Sequence, residues 1–210
     1  MKRYDKVYQM GNGFAKVKLG KKIGYIDDKM KQITPIKYDD GDEFFHLDSR
    51  TFFAKVMLNG KWGFVDGNGK EITKIKYDFV WDFCNGFARV KLNGKYGFIN
   101  LKGEEITCIY YDSVRDFEHH FAIVEREGKC GFINESGKEI TDIIYDNAEN
   151  FYNDVGRVKR CSKWGYINSS GREITEIKYD EAGGHYTDKT ALVFAGNRYF
   201  HVDINGNELK

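Results

Sequence analysis

"GKWGFVDGNGKEIT" (residues 60–73) returns as "GKYGFINLKGEEIT" from Gly94, "GKCGFINESGKEIT" from Gly128 and "SKWGYINSSGREIT" from Ser162. Looser copies run "KKIGYIDDKMKQIT" from Lys21 and "NRYFHVDINGNELK" from Asn197. Aligning on the residue before the central glycine puts Gly24, Gly63, Gly97, Gly131 and Gly165 in one column, closed by Phe200, at spacings of 39, 34, 34, 34 and 35. The dipeptide Tyr-Asp gives an independent phase, at Tyr4, Tyr38, Tyr77, Tyr111, Tyr145 and Tyr179, spaced 34, 39, 34, 34 and 34. Six units of one tandem-repeat domain therefore fill the chain: 4–37, 38–76, 77–110, 111–144, 145–178 and 179–210. The second carries five extra residues around "HLDSR" (46–50) and the last carries one near His185, and such insertions lengthen surface loops.

Within a unit the pattern predicts strands and tight turns. "GFARVKLNGKYGFIN" (86–100) alternates Phe87, Arg89 and Lys91 with Ala88, Val90 and Leu92, the period of two of a half-buried strand. Asn93-Gly94 then supplies the positive backbone angles of a two-residue hairpin. A second hairpin turns through "DGNGK" (66–70) and its equivalents, with "EIT" as the return strand. One proline and no long amphipathic spacing leave helix a minor part, a single turn at "YDFVWDF" (77–83) or "YDSVRDF" (111–117). The expected fold is all-β. A unit this small cannot bury both faces, so neighbours must stack and share a continuous core. Three strands per unit, against four in a standard propeller blade, favour an open β-solenoid or superhelical array; a closed propeller-like ring is the alternative.

These residues resemble the WG-repeat, or KWG-repeat, family of bacterial β-repeat proteins. The match is carried by "KWGFVDGNGKEITKIKYD" (61–78) and "KWGYINSSGREITEIKYD" (163–180), with "FAKV" (14–17 and 53–56) and "FARV" (87–90) for the small-x-Val strand. It spans Tyr4 to Lys210. Departures are Ile23, Tyr96, Cys130 and Tyr199 in the Trp column, Phe200 for Gly, and Gly156 where the other units have Ala. The resemblance implies a repeat architecture and no catalytic residues.

The composition narrows the function. Thirty-three basic and thirty-two acidic side chains leave a net charge of +1, so no global field advertises a nucleic-acid or membrane-surface binder. No apolar run is long enough for a membrane helix, and the first residues lack the apolar stretch of a signal peptide, so the expected location is cytoplasmic. Cys84, Cys108, Cys130 and Cys161 form no Cys-x-x-Cys pair, so neither disulfides nor a metal centre is expected, and Cys130 in the Trp column should be buried and inert. Five histidines occupy unrelated columns, His119-His120 standing where other units have Asn-Gly. No cofactor and no enzyme activity are expected.

Two readings of a surface follow. The first is a non-catalytic interaction module that binds, and by binding can inhibit, a partner protein through residues that vary between units, including "HLDSR" and "GGHYTD" (183–188). The second is a basic stripe that tracks nucleic acid or a ribonucleoprotein, formed by Lys16, Lys18, Lys55, Arg89, Lys91, Arg126, Arg157, Lys159 and Arg160. Against it, Glu71, Glu105, Glu139 and Glu173 form a column able to neutralise that face. The aromatic columns, Trp62, Tyr96, Trp164 and the Tyr-Asp tyrosines, read as packing between repeats rather than as a ligand stack.

Overall fold

The computed structural model describes residues 4–48, 51–183, 190–203 and 205–209, so part of "HLDSR" and most of "GGHYTD", with His185, lie outside the described residues. Every regular element among them is a β-strand. The chain divides into two compact units, residues 1–94 with 98–105, and residues 95–97 with 106–210. The first contains the sheet of β1 (Lys6–Val7), β2 (Phe14–Leu19) and β3 (Lys22–Asp27). In the next sheet the long β6 (Phe52–Leu58) pairs with β4 (Asp40–Gly41) and β5 (Phe45–His46) on one side and β7 (Lys61–Asp66) on the other. A third sheet follows from β8 (Phe79–Val80), β9 (Phe87–Leu92) and β10 (Lys95–Asn100). In the second unit come β11 (Ser113–Val114), β12 (Phe121–Arg126) and β13 (Lys129–Asn134), then β14 (Asn147–Tyr152), β15 (Val155–Arg160) and β16 (Lys163–Asn168). The last sheet has four strands, β17 (Glu181–Ala182), β18 (Thr190–Ala195), β19 (Arg198–Asp203) and β20 (Glu208–Leu209).

The hairpins form where the sequence places them. The turn between the two long strands has positive φ at both central residues, 54° and 74° at Asn59-Gly60 and 52° and 80° at Asn93-Gly94, the mirror-image turn that matches strand twist. A similar pair of positive angles reappears before the small-x-Val strand at Asn12-Gly13 and Asn85-Gly86, and His119-His120 adopts it at 47° and 73°. The histidine doublet is thus a turn.

Two expectations are corrected. "YDFVWDF" and "YDSVRDF" make no helical turn: Asp78 N–H donates to Lys91 O and Trp81 N–H to Arg89 O, which fixes β8 as an edge strand on the small-x-Val strand. The "EIT" segment is not a full return strand either. It touches its neighbour through single bridges, Val65 with Glu71, Ile133 with Glu139 and Ile167 with Glu173, and only in the last sheet does the equivalent β20 pair as a strand. The reason lies in the buried threonine of each "EIT". Thr73 Oγ1 accepts the Phe64 N–H and Thr141 Oγ1 the Phe132 N–H, so a side chain takes the bond that a backbone carbonyl would have offered.

The core is assembled at the junctions between repeats. Ala15 and Val17, Ala54 and Val56, Ala122 and Val124 are buried along the middle strands. Phe44 of the second repeat packs on Phe14 and Tyr25 of the first at ring-centroid distances of 4.2 and 5.0 Å. Phe83 meets Phe53 and Phe64, each at 4.8 Å, and Phe151 meets Phe121 and Phe132 at 4.3 and 4.9 Å. Burying one such side chain contributes about 2 kcal/mol. Phe151 also accounts for Gly156: a methyl there would sit 3.0 Å from the Phe151 ring. The second-turn glycines complete the seam. Gly69, Gly137 and Gly171 have φ near 80° and lie against the carbonyls of Ile33, Ile106 and Ile140 in the preceding repeat, where any side chain would collide with peptide backbone.

Candidate functional site

Conserved use of one position within the chain explains the tyrosines and the glutamate column together. Tyr38 Oη donates to Glu71 at 2.9 Å and Tyr77 Oη to Glu105 at 2.9 Å, each bond joining a tyrosine bridged to one sheet with a glutamate bridged to the next. Tyr111 donates to Glu139 at 3.1 Å, and Tyr110 donates to the same carboxylate. Burial and then the glutamate bond raise the pKa of Tyr38 and Tyr77 well above the usual phenol range. For Glu105, burial opposes ionisation but Lys76 and Tyr77 outweigh it, and its pKa is lowered. Glu71, Glu105 and Glu139 therefore serve the seam, whereas Glu173 pairs with Arg160 of the basic strand. The aspartate of Tyr-Asp also reaches farther than a local turn. Asp39 accepts the Asn59 N–H and Lys22, Asp78 the Gly94 N–H and Lys61, and Asp112 the Glu127 N–H and Lys95.

The nine cations do not share one face. Lys16, Lys18, Lys55, Arg89, Lys91, Arg157 and Lys159 alternate with the buried Ala, Gly and Val positions of their strands, whereas Arg126 and Arg160 follow the same alternation as those buried residues. Lys16 donates to Gly41 O at 2.8 Å, and Arg157 donates to Ala182 O and pairs with Glu149. Lys55 bridges Asp42 and Asp82 at 2.8 Å each. Arg160 pairs with Glu173 at 3.3 Å and Arg126 lies over Tyr110 at 5.2 Å. Arg157 and Lys159 both cover Trp164, at 4.4 and 5.3 Å, while Arg89 lies 5.0 Å over Trp81 and Lys91 is also engaged. Among the nine, Lys18 alone makes no side-chain hydrogen bond, ion pair or ring contact within the described residues. Most of the column is joinery.

What sequence reasoning missed is an aromatic patch in the first unit. Phe79, 43% exposed, stands 6.2 Å from Trp62 and 4.7 Å from Trp81, both edge-to-face. Met57, directly across the strand pair from Trp62, and Arg89 over Trp81 extend it, and Lys91 lies opposite Phe79. Positions 79 and 81 vary from repeat to repeat: the column of Phe79 holds Lys6, Asp40, Ser113, Asn147 and Glu181, and that of Trp81 holds Tyr8, Asp42, Arg115, Glu149 and Gly183. The signal was present as Phe79 in an otherwise polar column and Trp81 in a column with one other aromatic, Tyr8, hidden by reading the segment as helix.

No constellation for covalent chemistry accompanies the patch. Cys130 is buried, its thiol donating to Tyr145 O at 3.4 Å and raised by burial to a pKa of about 11. Among the described residues no group of three His, Cys, Asp or Glu side chains is placed to hold a metal ion. No helix among them is long and apolar enough to cross a membrane.

Small antiparallel sheets in tandem, linked to neighbours by bonds such as Tyr38–Glu71, phenylalanine contacts such as Phe53–Phe83 and close-fitting glycines such as Gly69, define an all-β repeat protein. The chain belongs to the WG-containing-repeat family, whose model matches residues 23–62, 62–96, 96–130, 131–160 and 164–199. Comparison with curated protein sequences finds no match. Among solved structures, similarity is found to Hsv2 of Kluyveromyces lactis, with 14% identity over 91% of this chain and 71% of that one at a TM-score of 0.40. A form of the same protein with its loop 6CD replaced by a Gly-Ser linker gives 12% identity over 94% and 78%, at 0.43. The β-propeller domain of Cps50 (Swd1) from Myceliophthora thermophila gives 6% over 98% and 88%, at 0.34.

Proposed function

We propose that this protein is a non-catalytic interaction module whose repeats form a scaffold for binding a partner protein, with the Trp62–Phe79–Trp81 patch as the principal contact. The observation that carries this reading is the patch itself: an exposed Phe79 flanked by the half-buried Trp62, Trp81 and Arg89, two of the aromatics at positions that vary between repeats. Trp, Tyr and Arg dominate the binding energy of protein interfaces, the aromatics because they bury much area at little cost in side-chain freedom. Binding of this kind would also block the partner surface it covers, so inhibition is compatible with it. Cytoplasmic location and the absence of a cofactor belong to the same reading. Nucleic-acid binding along the basic strand positions is less favoured, since eight of the nine cations are engaged within the chain.

The test is capture from a lysate of the source organism, with and without nuclease and at low and high salt. Phe79→Ser with Trp81→Arg installs the residues that the fourth repeat carries, Ser113 and Arg115, so the scaffold is kept while the patch is removed. The expected result is a stoichiometric protein retained through nuclease and salt by the parent chain and lost with the double variant. Loss of everything on nuclease treatment, or equal retention by the double variant, overturns the proposal.

A further inference from the structure

In the fifth repeat Lys159 lies directly across from Trp164, and Arg157 covers the same indole. The three equivalent columns of the fourth repeat hold Ile123, Glu125 and Cys130, with Glu125 across from Cys130 in the same register. All three residues have changed together, and a cavity of about 100 Å³ opens beside them. Its floor is Val114, Ile123 and Cys130, all buried, and its rim carries Arg115, Glu125 and the Lys129–Asp146 ion pair.

We propose that this notch is a socket for one aromatic ring, presented by a side chain of the partner protein. The molecule shows what fills the equivalent place elsewhere: Trp62 and Trp164 supply an indole and Tyr96 a phenol, and a guanidinium repeatedly lies over a ring, as Arg157 over Trp164, Arg89 over Trp81 and Arg126 over Tyr110. Arg115 stands at the rim as the guanidinium without a ring. Its Nη1 donates to Ala148 O at 3.4 Å, which holds it beside the opening. Glu125 supplies the acceptor that an indole N–H or a phenol O–H needs when its ring is desolvated. The floor is neutral, since burial keeps the Cys130 thiol protonated. A dry cavity of about 150 Å³ encloses benzene, so an open notch of about 100 Å³ takes the edge of a single ring with the remainder in water.

That the ring comes from a partner protein rests on the function proposed above; the existence of the socket does not. The full chain is titrated with N-acetyl-tryptophanamide and followed by backbone amide shifts. Saturable shifts centred on Ser113, Glu125 and Gly131 are expected, with none from N-acetyl-leucinamide. Cys130→Trp restores the residue of the second and fifth repeats, so it should fold and fill the notch from within, weakening the response by about tenfold or more, a change of ~1.4 kcal/mol. No saturable shifts in the parent chain, or shifts of equal strength in Cys130→Trp, overturn the socket. Because the titration needs no partner, its result and that of the lysate capture are read separately.

Discussion

Tyr77, bridged to Trp62 of one sheet, and Glu105, bridged to Ile99 of the next, are joined by a 2.9 Å hydrogen bond from phenol to carboxylate. Tyr77→Phe removes the donor without opening a cavity and should cost about 1.5–3 kcal/mol, the range for a bond to a charged acceptor. Tyr111→Phe should cost less, because Tyr110 still donates to the Glu139 carboxylate. Urea unfolding of the two variants measures the difference; equal losses would mean that Tyr110 gives no compensation.

Stability should fall at both ends of the pH scale. Asp39, Asp78, Asp112 and Asp146 are held below the ordinary value by their lysine partners and by turn N–H groups. A carboxyl whose pKa is lowered on folding adds stability that is complete above the unfolded value and is lost as pH falls through the folded one. The decline should therefore begin near the ordinary 3.8 of aspartate and deepen below it. The raised phenols of Tyr25, Tyr38, Tyr77 and Tyr111 act in the opposite direction, with stability lost as pH rises past 10.0. Urea midpoints between pH 2 and 11 should trace a plateau with a fall on each side.

Two glycines of similar φ separate backbone strain from contact. Gly60 has φ 74° and open space around it, whereas Gly69 has φ 81° and faces the Ile33 carbonyl. Gly60→Ala should cost about 1 kcal/mol for the left-handed backbone alone. Gly69→Ala adds a collision across the repeat boundary and should cost at least about 3 kcal/mol, read as a much larger drop in thermal midpoint.

The turn at Cys161-Ser162 has φ of 49° and 64° without an asparagine or glycine to accept it. Replacing the pair by Asn-Gly, as at Asn59-Gly60, should stabilise the protein by about 1 kcal/mol and raise the thermal midpoint. An unchanged midpoint would show that this turn is already relieved in some other way.

The repeat phase, the middle strands and the two-residue turns were legible because each depends on residues close together in the chain: Ala122 and Val124 alternate with their neighbours, and Asn93-Gly94 carries its backbone angles with it. The seam was not. Tyr38 and Glu71 are both visible as columns, but their 33-residue separation conceals that one serves the other. The same holds for Gly69, which reads as a turn residue and is equally a clearance for Ile33. For the candidate site, strand alternation separates Arg126 and Arg160 from the other seven cations, and the partners of Lys16 and Arg157, Gly41 O and Ala182 O, are peptide groups that no side-chain pattern announces. Trp81 escaped notice because "YDFVWDF" has an apolar spacing that fits a short helix as well as a two-residue edge strand.

The Gly41, Ala148 and Ala182 carbonyls occupy the same place in their repeats, and each receives a cation from the repeat before. Two deliver it from the middle strand, through Lys16 and Arg157; the third receives it from the edge strand, through Arg115. With Arg115 fastening Ala148, position 123 carries an isoleucine where the first and fifth repeats carry a cation, and the fourth repeat keeps its hold on the fifth. One junction carbonyl can thus be fastened from either of two strands, so the side chain at the unused position is free to differ while the backbone of the array is held in the same way.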